Sequence, residues 1–161
     1  MAGQCLIVCY SRSGNTRKIA DLIQQEVGGT LHEIEPETPY PRSYDATGDQ
    51  AKREIQAGYR PALQAALADV ESYDTVFVGS PNWRNTIAPP VATFLSEHDL
   101  SGKTIAPFCT HGGGGLGRVG EEIARLCPES TVLRSFHIYG RGGVDAQARV
   151  SAWLSHVGMT P

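Results

Sequence analysis

The 161-residue chain lacks an excess of charge of either sign. Its 14 Lys and Arg face 17 Asp and Glu, for a formal net charge of −3. That balance argues against nucleic acid as a partner, which wants a basic stripe. It is also far from the strongly acidic surface that docks on basic proteins by long-range steering. No apolar run is long enough to span a bilayer. No basic segment with a following apolar stretch opens the chain. These absences predict a cytoplasmic protein with no membrane attachment. Cysteine is scarce: Cys5, Cys9, Cys109 and Cys127. None stands in a Cys-x-x-Cys or His-rich ligand spacing, so neither a zinc site nor a disulfide framework is expected, and the four read as reduced core thiols. Repeats and low-complexity segments are missing too. Hydrophobic residues make up 40% and charged residues 19%, a globular profile that fits one domain over residues 1–161. A chain of this length buries roughly 70% of its unfolded surface, so a core without staples is feasible.

Strand and helix signals alternate along the chain. The first strand is expected at Gln4–Tyr10 and the first helix at Thr16–Val27, with Ile19, Leu22, Ile23 and Val27 on one face. A second strand is expected at Thr30–Glu35. A proline-containing connection follows, then a weak helix at Ala46–Ala57 and a short helical turn through Ala62–Ala68. The third strand reads as Thr75–Gly79, and Pro89 and Pro90 open the third helix. The fourth strand reads as Thr104–Thr110, with a helix ending at Leu126. The fifth reads as Thr131–Tyr139, with Asp145 as N-cap of the last helix. Strands 1, 3 and 4 are continuous apolar runs, whereas 2 and 5 are mixed. The fold class is therefore α/β: a doubly wound, five-stranded parallel sheet of order 2-1-3-4-5 with helices on both faces. In that order the ligand crevice lies at the carboxyl ends of strands 1 and 3.

Three loops end at that edge. Loop A follows the apolar run of residues 5–10 and consists of Ser11, Arg12, Ser13, Gly14, Asn15 and Thr16. Its hydroxyls, its amide and a helix N-terminus suit a dianionic phosphate, although a generic strand-to-helix turn uses the same residues. It is not a Walker loop, since no Gly-Lys-Ser/Thr follows. A cysteine-phosphatase loop needs Arg six residues after its Cys, where Asn15 follows Cys9. A receiver-type phosphoacceptor needs Asp near the end of strand 3, where Gly79, Ser80 and Pro81 stand. Loop B spans Ser80–Ala88 and includes Pro81, Asn82, Trp83, Arg84, Asn85 and Thr86. Trp83 either stacks on a planar ring or folds onto its own scaffold. Arg84 meets a phosphate, a ring or only solvent. Loop C holds Thr110, His111, Gly112, Gly113, Gly114 and Gly115, followed by Leu116 and Gly117. Four consecutive glycines leave backbone amides free to line a flat ligand, or make a flexible turn. His111 either serves a carbonyl oxygen or a proton there, or stands by in solvent.

Taken together, these residues resemble the flavodoxin family. Leu6 to Ala20 is similar to its phosphate-loop signature: apolar strand, aromatic, Ser-x-Ser-Gly-Asn-Thr, helix. The likeness continues through Glu35-Pro36, Tyr40 to Ala57, the Gly-Ser-Pro-Asn-Trp and Ala-Pro-Pro segments, and Thr110–Gly117, so it covers essentially the whole chain. Strand 5 carries no long insertion, as in short-chain members. The resemblance implies non-covalent FMN, with Ser11–Thr16 on the phosphate, Pro81–Thr86 beside the ribityl chain and isoalloxazine, and Trp83 as the stacking ring. Thr110–Gly115 would line the pyrimidine side. Two positions depart from the family. Arg84 and Asn85 stand where many relatives carry a second Trp and then Gly, a Gly whose peptide flips toward reduced flavin N5; Asn tolerates positive φ best after Gly. Loop C also lacks the Tyr that covers the second flavin face elsewhere, leaving that face open or covered by Tyr40, Tyr44 or Tyr59.

The resemblance implies FMN redox chemistry without a catalytic residue of the protein's own. The expected role is low-potential electron transfer between a reductase and an acceptor protein. The alternative is an NAD(P)H-dependent reductase of a small quinone-like substrate, and a further alternative is a flavodoxin-shaped binding domain without flavin.

Overall fold

The computed structural model describes residues 4–65, 67 and 69–159. Five strands form the expected parallel sheet and a sixth joins its edge. β1 (Cys5–Cys9) lies between β2 (Thr30–Glu33) and β3 (Thr75–Pro81), and β4 (Thr104–His111) follows β3. The expected single fifth strand is interrupted. It appears as β5 (Thr131–Val132) and β6 (Phe136–Tyr139), both parallel to β4. The break has a physical cause. The Trp153 indole N–H donates to the Arg134 carbonyl at 2.8 Å, so a helix on one face takes that acceptor.

Alternation along β1 divides the core. Leu6 and Val8 point to one face, and Ile7 and Cys9 to the other. On the first face they meet α3 (Pro89–Glu97) and α4 (Val119–Leu126) through Phe94, Leu95 and Ile123. On the second they meet α1 (Asn15–Val27) and α5 (Ala146–His156) through Ile19, Ile23, Val150 and Leu154. α1 and α5 pack side by side; the turn before α5 reaches the start of α1, where Arg141 bonds Asn15, and Gln147 in the first turn of α5 bonds Glu26 near the end of α1. Gly79 and Phe108 are register partners on β3 and β4. A Cβ on Gly79 would lie 2.3 Å from the Phe108 ring, so only glycine admits that ring.

α2 (Tyr44–Ala57) starts two residues earlier than the pattern predicts. Ser43 Oγ accepts from the Ala46 N–H at 3.2 Å and caps it there. Asp145 occupies the N-cap position of α5 but makes no side-chain cap bond, contrary to expectation. The helical turn expected at Ala62–Ala68 is absent where the chain is described. Leu63 instead bridges Pro36 in antiparallel fashion, and the Gln64 N–H donates to the Glu35 carbonyl at 2.8 Å. Long-range pairing there overrides local helix propensity; Ala66 and Ala68 lie outside the described residues. β2 stops at Glu33 because the chain leaves toward that bridge. Cys9, Cys109 and Cys127 are buried and Cys5 is partly so. Burial pushes the Cys9 and Cys109 thiols up to about 12, so they are inert at neutral pH. Among the described residues no helix is long and apolar enough to cross a membrane.

Candidate functional site

Loop A leaves β1 and enters α1 through Gly14, whose φ of 92° favours glycine. The Gly14 N–H donates to Ser11 Oγ at 3.0 Å and shapes the turn. Thr16 is buried, and its hydroxyl meets the Thr110 hydroxyl at 2.7 Å. That bond joins loop A to the end of β4. Arg12 is drawn aside: its guanidinium donates to Thr47 Oγ1 at 3.2 Å and to the Arg42 carbonyl at 2.7 Å. Its side chain thus fastens the loop to α2, while its backbone stays in the cradle. Ser13 is exposed at the rim. The early N–H groups of α1 face the loop without helical acceptors, a setting that favours an anion.

Loop B is fixed at its base by Ser80, whose buried hydroxyl accepts from the Ala88 N–H at 2.9 Å. The Asn82 N–H donates to the Thr110 carbonyl at 2.8 Å, and its Nδ2 to the Gly115 carbonyl at 2.9 Å. Asn82 Oδ1 is buried and meets no donor among the described residues. Trp83 and Thr86 close a tight turn by mutual backbone bonds of 2.9 and 3.1 Å. Both central residues take positive φ, 54° at Arg84 and 74° at Asn85, as a type I′ turn requires. Asn suits that region; Arg does not. Arg84→Gly should therefore raise stability by about 0.5–1 kcal/mol in chemical denaturation. A loss instead would show that the Arg84 side chain holds something.

Trp83 is half-buried. It stands perpendicular to Tyr10 (centroids 5.4 Å apart) and to Tyr40 (5.0 Å). Tyr40 is held in turn by its hydroxyl, which donates to Glu54 Oε1 at 2.6 Å. The scaffold thus orients the indole. Trp83 also lines a groove of about 480 Å³ with Arg12, Tyr44, Thr47, Asn82 and Arg84. Tyr44 is 82% exposed over this groove, whereas Tyr59 lines a separate pocket beside α3 and α4. Of the three tyrosines considered as cover, Tyr40 and Tyr44 are at Trp83 and Tyr59 is not.

In loop C the Gly113 N–H donates to His111 Nδ1 at 3.1 Å. Nδ1 is therefore the bare nitrogen, and the imidazole proton sits on Nε2, 3.4 Å from His137 Nδ1. Partial burial, then His137 and Arg149, hold the His111 pKa below its ordinary value. Gly112, Gly113 and Gly114 are exposed; Gly113 and Gly115 have positive φ, and a Cβ on Gly114 would touch Asn82 Nδ2 at 3.4 Å. Pro81 and Thr86 flank loop B, and the Asn85 carbonyl accepts from the Arg118 N–H at 2.8 Å. The three loops are thereby stitched at one sheet edge.

Sequence reading missed three members. His137 and Tyr139 back His111 from β6, with Tyr139 perpendicular to it at 6.1 Å. Arg141 reaches loop A and donates from Nε to Asn15 Oδ1 at 3.0 Å. The signal was present: Gly140, Gly142 and Gly143 around Arg141 make a turn of positive φ at the carboxyl edge.

Order, edge and loops define a class: a doubly wound α/β protein with a polar small-residue loop at a helix N-terminus, beside an oriented indole and a glycine-rich wall. The family model described as Flavodoxin matches residues 4–157, and the chain belongs to the flavodoxin family. No curated protein matches it. A Bacteroides eggerthii protein assigned as a flavoprotein is 27% identical, covering 97% of this chain and 98% of its own, with a TM-score of 0.85. A Lactobacillus acidophilus flavoprotein, solved in complex with FMN, is 26% identical over 91% of this chain and 99% of its own (TM-score 0.74). Oxidised Flavodoxin 2 from Bacillus cereus, 20% identical over 96% of this chain and 97% of its own, shares the fold at a TM-score of 0.62.

Proposed function

We propose that this chain holds FMN at the carboxyl edge and serves low-potential electron transfer with a protein partner. The stitching of the three loops, through Thr16–Thr110 and Asn82–Gly115, supports this reading most directly. The residues fit the group. The Ser11 and Ser13 hydroxyls and the N–H groups of Asn15 and Thr16 would hold the phosphate, while the Gly14 N–H, bonded to Ser11 Oγ, keeps the loop in shape. Trp83 would lie on the isoalloxazine, and the backbone of loop C would line its pyrimidine edge. Asn82 Oδ1 offers a desolvated acceptor to a ligand N–H or O–H, which would relieve the cost of its isolation. Bound FMN supplies the electron chemistry. The protein's part is to position the ring and limit water.

FMN titration tests the reading: flavin fluorescence should be quenched on addition of the protein. No binding would leave a flavin-free binding domain as the surviving alternative. Ser11→Ala and Thr16→Ala should each weaken FMN by about 1–2 kcal/mol and riboflavin much less, because only FMN carries the phosphate. Equal losses for both ligands would remove loop A from the phosphate.

One observation favours the second reading, a reductase that takes hydride from NAD(P)H and reduces a small quinone-like acceptor. His111 Nε2–H and His137 Nδ1 form a proton-bearing pair behind loop C. Anaerobic mixing of holoprotein with NADPH separates the two. Fast bleaching supports the reductase; bleaching only after a separate reductase is added supports the shuttle.

A further inference from the structure

We infer that Arg141 is the cation of the phosphate cradle and makes the site select phosphorylated over dephosphorylated flavin. This rests on the FMN reading and extends it to a residue outside the loop signature. Loop A and the first turn of α1 bring two arginines to the edge, Arg12 and Arg17, and both guanidinium groups are engaged within the protein. Arg12 is engaged by Thr47 Oγ1 and the Arg42 carbonyl. Arg17 is paired with Asp21 at 3.0 Å and with Glu33 at 2.6 Å. Arg141 differs. It comes from the turn between β6 and α5; unlike Arg17 it forms no ion pair among the described residues, and where Arg12 is bound to three acceptors it is bound to one. Its Nε bonds to the Asn15 side chain at 3.0 Å. Its Nη2 lies 3.5 Å from where a Cβ on Gly14 would stand, an ordinary contact distance that sets the guanidinium beside the Gly14 backbone.

The planar guanidinium is thus held over the N-terminal turn of α1 by a neutral partner. Asn15 orients it without neutralising it. A phosphate in the cradle would meet the helix N–H groups on one side and Arg141 on the other, and arginine presents the fork that suits two phosphate oxygens. Riboflavin offers no charge to either. The exposed position of Arg141 keeps the approach open and makes its pull sensitive to salt.

The test compares FMN and riboflavin affinities of the full chain and of Arg141→Gln and Arg141→Lys, at low and high salt. Arg141→Gln should raise the FMN Kd about 10-fold and leave the riboflavin Kd within about twofold. It should also flatten the salt dependence of FMN binding, and Arg141→Lys should restore part of the loss. An unchanged FMN Kd, or equal weakening of both flavins, would overturn the inference while leaving FMN binding intact. Failure of the unaltered protein to bind FMN would overturn the FMN reading instead. Inorganic phosphate then serves as probe, followed through the Gly14 and Asn15 amide resonances. Shifts that vanish in Arg141→Gln support the cation role, and their absence in the unaltered protein overturns it.

Discussion

Alanine at Phe108 should lower the unfolding free energy by about 3–5 kcal/mol, read by chemical denaturation. The ring is fully buried and packs where Gly79 has no side chain, so its removal opens a cavity between β3 and β4. Nothing nearby can fill it cheaply: Gly79 offers no atoms, and Ile7, Phe77 and Phe136 are already placed in the same core. The cavity also lies under the site. Phe108 precedes Thr110 by two residues on the same strand, and Thr110 carries the bonds to Thr16 and Asn82. A loss below about 1 kcal/mol would mean that the core relaxes around the gap, against the close packing argued above.

Trp83→Ala should weaken FMN by about 1–3 kcal/mol, by analogy with base–aromatic stacking. Riboflavin should lose as much, because the two ligands share the ring system. That pattern is the opposite of the one expected at Ser11, Thr16 and Arg141, so a panel of two ligands sorts ring contacts from phosphate contacts. Unchanged affinity would place the indole wholly on the scaffold, against Tyr10 and Tyr40. Phenylalanine at the same position should recover part of the affinity.

Strand order was legible because burial on both faces leaves continuous apolar runs such as Val76–Val78, whereas the edges stay mixed. The loops were legible because each follows a central strand directly. What escaped the sequence depends on distant partners. The break between β5 and β6 is made by an indole on α5, and no residue of Leu133–Ser135 announces it. The extended path at Leu63 comes from pairing with Pro36, 27 positions away. Arg141 escaped for a similar reason. Strand order sets β6 apart from β1, yet α1 and α5 lie on one face, and the turn that leads into α5 reaches Asn15 at the start of α1. Arg12 shows the converse: its position in the loop is plain, but its guanidinium answers to carbonyl groups about 30 residues on.

The hydroxyl pair Thr16–Thr110 has a mechanical consequence. On the FMN reading it ties the loop that would take one end of the ligand to the strand end that would line the other. The two jaws form one rigid caliper, set before any ligand arrives. Ordering them is part of folding, so a molecule of the right span enters without that entropic cost. One a few ångströms shorter can engage only one jaw at a time.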